Sequence, residues 1–183
     1  MSLASQQLSD DHQAVSNVLK QLLTLLNNKD VAASHSKLDL LWARLAVHIR
    51  AEHLHLFPTV LNRLTGSTAD AAAPELSEAQ SIVENLRADH DFFMRELART
   101  IGVLRELPKQ TSASDEAKFA AVGDVVREIE NRLVTHNEIE ENQIYHWANT
   151  ILTKPEQTDL ATRINAELEN RPSRFSVEVW ANQ

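Results

Sequence analysis

Four long stretches of this chain space their apolar residues alternately three and four apart, a period that suits a helix buried along one side and does not suit a strand. The stripes are Val15, Leu19, Leu22 and Leu26; Leu38, Leu41 and Leu45; Val83, Leu86, Phe93, Leu97 and Ile101; and Phe119, Val122, Val126, Ile129 and Leu133. With 3 glycines and 5 prolines in 183 residues, the chain lacks the tight turns that sandwiches, barrels and phosphate loops need. The spacing predicts helices from about Ser9 to Leu26, Ala32 to Leu64, Ser77 to just before Pro108, and from Phe119 to about Leu152, with Pro58 bending the second. Polar connections fall at Asn27–Asp30, Thr65–Pro74 and Lys109–Asp115, a shorter amphipathic segment runs from Glu156 to Glu169, and an extended tail carries Phe175, Val177, Val179 and Trp180. The expected fold is all-α, an up-down-up-down four-helix bundle over residues 1–152 followed by a short C-terminal helix and tail over 153–183.

Charge and cysteine content narrow the function. A net charge of -8, from 18 Lys+Arg against 26 Asp+Glu, is poorly matched to a nucleic acid. No stretch approaches the ~20 apolar residues of a membrane span, and residues 1–11 lack a basic region followed by an apolar run, so a soluble, cytoplasmic protein is expected. The absence of cysteine excludes a disulfide framework, a thiolate zinc site and a cysteine-ligated iron–sulfur cluster.

The stripes then change chemistry. Continued past Leu45, the second reaches His48, Glu52 and His55; continued past Leu133, the fourth reaches His136 and Glu140. His12 begins the first stripe and His90 lies within the third, near Phe93 and Met94. In an antiparallel pair, residues at one level are mirrored about the centre of the connection. The midpoints of His12 and His48, of His48 and His90, and of His90 and His136 are Asp30, Ala69 and Ala113, each inside a predicted connection. At ~1.5 Å rise per residue, an error of two residues displaces a side chain by only ~3 Å. All four histidines therefore fall in one layer, with Glu52 and Glu140 one turn further on.

Buried ions without partners cost several kcal/mol, on the order of 3–5. A layer of four histidines and two glutamates calls for a cation: two carboxylates can bridge a metal pair while two histidines cap each metal. Nitrogen and oxygen donors of this kind suit iron, with manganese and zinc as alternatives. The same residues reveal a duplication. Asp11-His12 matches Asp89-His90, and the segment from His48 through Glu52 to Leu56-Phe57 matches that from His136 through Glu140 to Ile144-Tyr145, both reading His-x3-Glu-x3-[Leu/Ile]-[Phe/Tyr].

Over roughly residues 9 to 152 this pattern resembles the hemerythrin-like (HHE cation-binding) family, with His12, His48, Glu52, His90, His136 and Glu140 matching its motif H…HxxxE…H…HxxxE. The resemblance implies two Fe ions in a non-haem centre, bridged by Glu52, Glu140 and an oxo or hydroxo group. It also implies a small diatomic or peroxide ligand such as O2 or NO. Two departures bear on activity. Oxygen-carrying hemerythrins have His-x3-His on the third helix, where this chain has Met94, and end in His-x4-Asp, where this chain has Glu141. The remaining set looks closer to the repair-of-iron-centres proteins, which usually carry an N-terminal cysteine-containing segment, while this chain has no cysteine.

The other histidines divide unequally. His55, seven residues past His48, and its repeat counterpart Gln143 are expected to support the layer by hydrogen bonding. Glu141 is a candidate for the same supporting role or for a bridge, although its position, like that of His53, also suits the rim. His35 and His146 are read as surface groups, and Phe57, Tyr145, Phe93, Met94 and the tryptophans as packing. Glu52-x-x-His55 matches the ferritin-like di-iron motif, but the fourth helix offers Glu140-x-x-Gln143, so that class lacks half its ligands. The expected activity is binding of, or reaction with, the small molecule, an enzyme being one form of this. The alternative is a non-catalytic metal-dependent sensory module or an iron-handling protein. A homodimer is the one macromolecular partnership envisaged.

Overall fold

The computed structural model describes residues 2–66, 73–107 and 113–181. Its helices are α1 (Leu3–Asn27), α2 (Val31–Ala51), α3 (Phe57–Thr65), α4 (Leu76–Glu106), α5 (Ala113–Ile139), α6 (Tyr145–Ile151), α7 (Lys154–Glu169) and α8 (Val177–Ala181), and no strand occurs among the described residues. Helices α2 and α3 are one rod joined by the π-helical turn Glu52–Leu56, and α5 and α6 are joined likewise by Glu140–Ile144. The four rods pack in a closed square, α1 on α2, α2 on α4, α4 on α5 and α5 on α1.

Local chemistry sets the ends. Ser2 caps α1 by accepting from the Ser5 amide, so this helix begins six residues before the predicted Ser9. At its other end Lys29 takes a left-handed φ of 56°, the Lys29 amide bonds Leu26 O and the Asp30 amide bonds Leu25 O. That double closure stops α1, and the Asp30 carboxylate immediately caps α2 at Ala33 N, which reverses the chain within three residues. Helix α7 opens on a reciprocal Thr153–Glu156 capping box. The predicted extended tail is partly helical, because α8 coils back so that Phe175 and Trp180 rest against the bundle core. Most of the connections predicted at Thr65–Pro74 and Lys109–Asp115 lie outside the described residues, and α5 starts at Ala113, before the predicted Phe119.

Every residue of the four predicted stripes is buried. The apolar interior nonetheless forms two separate pieces. One gathers Val15, Leu19, Leu41, Leu45, Phe93, Leu97, Val126 and Leu133 toward the α1–α2 reversal. The other gathers Leu8, Leu56, Phe57, Leu86, Ile144, Tyr145 and Trp147, together with Leu160 and Ile164 from α7. Between the two pieces runs a layer of buried polar side chains.

Candidate metal centre

The six predicted side chains make that layer. His12 comes from α1, His48 from the last turn of α2, His90 from α4 and His136 from the last turn of α5, while Glu52 and Glu140 open the two π turns. The histidines are at most 7% exposed and both glutamates are fully buried. Their inner nitrogens meet in pairs, His12 Nε2 to His48 Nε2 at 3.1 Å and His90 Nε2 to His136 Nε2 at 2.9 Å. Each glutamate reaches both pairs. Glu52 places Oε1 3.3 Å from His48 Nε2 and Oε2 3.4 Å from His90 Nε2; Glu140 places Oε2 3.2 Å from His12 Nε2 and Oε1 3.2 Å from His136 Nε2.

The outer nitrogens decide what those inner ones present. His48 Nδ1 lies 3.0 Å from Asp11 Oδ2, His136 Nδ1 3.2 Å from Asp89 Oδ2, and His12 Nδ1 3.0 Å from Glu141 Oε1. A carboxylate only accepts, so each of these Nδ1 atoms donates, and in a neutral ring the Nε2 then carries a lone pair. His90 Nδ1 meets His53 Nε2 at 2.9 Å and has no carboxylate on that side. Lone pairs and carboxylate oxygens consequently point at one another, and among the described residues Glu52 Oε2 and both oxygens of Glu140 accept no hydrogen bond. Only something positive satisfies such a set. The donor geometry fits two cations, since His12, His48, Glu52 and Glu140 converge as one group and His90, His136 and Glu140 as a second.

Protons answer the same demand. Burial disfavours charge on His48, but Glu52 and Asp11 beside it outweigh burial and hold its pKa well above the ordinary value. Burial is likewise overcome at His12 by Glu140 and Glu141, and at His136 by Glu140. At His90 burial wins and the pKa falls well below the ordinary range. The carboxylates split: burial and the Glu140 charge push Glu52 up, whereas His136 and His12 overcome burial and hold Glu140 well down.

Asp11 and Asp89 escaped the sequence reading as functional residues, and so did the arginines behind them. Arg44 Nη2 bonds Asp11 Oδ1 at 2.6 Å, and Arg132 Nε bonds Asp89 Oδ1 at 2.7 Å. The signal lay in the duplication, which runs one turn further back: Arg44-Leu45-x-x-His48 matches Arg132-Leu133-x-x-His136. In each half an aspartate on one helix thus ties an arginine to a histidine one turn along the next helix.

The predicted supporting roles are redistributed. His55 faces α7, 4.0 Å from Glu167, and Gln143 makes no hydrogen bond to the layer among the described residues. The π turns explain this correction. Each inserts one residue, seen in the i→i−5 bonds Phe57 N to Glu52 O and Tyr145 N to Glu140 O, and shifts the helical phase by about 100°. Positions 55 and 143 rotate off the core face; Leu56, Phe57, Ile144 and Tyr145 rotate onto it. Glu141, a predicted supporting residue, bonds His12, while His53, read as a rim group, meets His90. His35 accepts from Arg105, and His146 is exposed.

Tyr145 does more than pack. Its ring stacks on His12 at 5.9 Å, and its hydroxyl lies 3.3 Å from both His12 Nε2 and Glu52 Oε1. Burial and the nearby carboxylates raise its pKa well above the phenol range, so it stays protonated and donates to Glu52. Its repeat counterpart Phe57 stacks on His90 at 6.1 Å and offers no hydroxyl. A small cavity of about 10 Å³ lies beside the histidines, lined also by Val15, Leu45, Leu133 and Asn137.

The bundle and its buried layer define a helical protein with a core fitted to metal cations. The model of the Hemerythrin HHE cation binding domain matches residues 3–148, and the chain belongs to that family. No curated protein matches the chain, and no solved structure does.

Proposed function

We propose that this chain is a non-haem di-iron protein, with His12 and His48 holding one iron, His90 and His136 the other, and Glu52 and Glu140 spanning both. The observation that carries this reading is the inward convergence of four imidazole Nε2 atoms on the Glu52 and Glu140 carboxylates, three of whose oxygens accept no hydrogen bond among the described residues. Iron held by these residues would supply redox chemistry toward a small molecule such as O2, NO or peroxide. The chain excludes bulk water with apolar packing on both sides of the layer, leaves only a small cavity beside the histidines, and keeps a proton on the Tyr145 hydroxyl at Glu52.

Elemental analysis and visible absorption of freshly purified protein test the assignment. Two irons per chain with ferric charge-transfer bands are expected, and a zinc-filled bundle would lack the bands. Glu52→Ala and Glu140→Ala should each lose metal; two irons retained in both variants would overturn the site. A second reading, a metal-dependent sensory module, is favoured by one contact: Arg44, which holds Asp11 and through it His48, also donates to the Trp180 carbonyl of the C-terminal segment at 2.7 Å. Turnover of peroxide or nitric oxide supports the reactive reading, and metal-dependent change in that segment without turnover supports the sensor.

A further inference from the structure

The duplication is not symmetric around the layer, and the outer partners of its histidines favour one side. Glu141 and His53 occupy matching positions, one after each glutamate, and each crosses to the outer nitrogen of a histidine in the opposite half. His12 therefore donates to a carboxylate. His90 Nδ1 instead meets the His53 imidazole, a partner that brings no negative charge. The His12/His48 pair thus has two anionic outer partners, Glu141 and Asp11, while the His90/His136 pair has one, Asp89. An anionic partner raises the basicity of a ligating imidazole and adds negative charge beside the cation.

The arms behind the aspartates differ in the same direction. The Arg44 and Asp11 side chains are 11% and 8% exposed, closed over by the C-terminal segment, whose Trp180 ring lies 5.5 Å from the Arg44 guanidinium and whose indole N–H bonds Leu168 O. The equivalent Arg132 and Asp89 side chains are 43% and 20% exposed, with Arg132 lying over Phe92. Water competes for the second ion pair and far less for the first.

We infer that the two metal positions are unequal, the His12/His48 position holding its ion tightly and the His90/His136 position exchanging, with Glu141 and His53 as the positioning residues that set the difference. This rests on the metal-site reading above. Outer partners of this kind are worth about 10- to 100-fold in metal affinity, so the two dissociation constants should differ by about tenfold or more.

The test is titration of the metal-free full-length chain with Co2+ under anaerobic conditions, followed by visible absorption and by competition with a chelator. Two resolved binding steps are expected. His53→Glu should tighten the weaker step and bring the constants within about threefold, while Glu141→His should loosen the tighter step by about tenfold. Because the two exchanges act on different helices, one remains informative if the other impairs folding. Two indistinguishable steps in the wild-type chain, or an unchanged ratio in a folded exchange variant, would overturn the inequality and leave the metal site standing. A wild-type chain that takes up no Co2+ would overturn the metal site itself.

Discussion

Asp11 and Asp89 each take the outer N–H of a histidine on a neighbouring helix, at 3.0 and 3.2 Å, and this bond fixes which nitrogen faces the layer. Neither residue would be a ligand, yet both govern what the ligand offers. Asp11→Asn removes the charge that supports His48 and should weaken metal retention by about 10- to 100-fold in chelator competition. Asp39→Asn, at a partly exposed pair with Arg174, is the matching control and should leave retention unchanged. Tyr145→Phe takes away the hydroxyl donor to Glu52 and should lower the stability of the metal-free chain by about 1 kcal/mol in denaturant unfolding. At this scale the ligand candidates were legible because histidine and glutamate interrupt apolar stripes. Their aspartate partners were not, since an aspartate next to a histidine has no periodicity to mark it.

The two π turns act at the scale of the element. Pro58 alone does not account for them, because His146 stands at the matching position of the second rod and the same turn forms there. What the two turns share is the burial of Leu56-Phe57 and Ile144-Tyr145 directly beyond the glutamates. A continuous α-helix would carry position 55 or 143 onto the core face instead. Removing one residue from a π turn returns the rod to plain α geometry with its downstream phase kept. Removing one from a plain α segment rotates everything beyond it by about 100°. Deletion of exposed Asn142, in the second turn, should therefore leave the thermal midpoint of the metal-free protein far higher than deletion of exposed Asn131 in α5, which would turn His136 and Glu140 out of the layer. Equal losses in the two melts would remove this account of the turns.

For the whole molecule, a polar layer between two apolar pieces makes stability depend on what balances its charge. Burial works against charge on all four histidines, but the neighbouring carboxylates hold His12, His48 and His136 above the ordinary value of 6.5, whereas burial prevails at His90. A raised histidine stabilises the fold in full below its unfolded value and loses that contribution as pH climbs through the folded value. A lowered one does the opposite, destabilising the fold increasingly as pH drops below the unfolded value. The metal-free protein should accordingly melt lower as pH rises above 6.5, as scanning calorimetry across pH can show. Metal must displace the protons on the raised histidines, so retention should decline with acidification, visible as release to a chelator. Bound metal should raise the melting temperature, by about 2.7 kcal/mol of added stability at a free concentration 100 times the dissociation constant.

The helical period, the four stripes and the level shared by six polar residues were determined by the sequence alone. A regular rise per residue turns position into height, and two matched halves check each other. Height, however, says nothing about rotation once the regular period is interrupted. The π turns are stabilised by packing across the bundle, and they took His55 and Gln143 off the core face while placing the Tyr145 hydroxyl at Glu52. Contacts between helices likewise brought Glu141 to His12, His53 to His90, and the C-terminal segment over Arg44. These contacts join residues far apart in the chain, and no local period encodes them. They became definite only when the helices packed and each buried nitrogen had to find a partner.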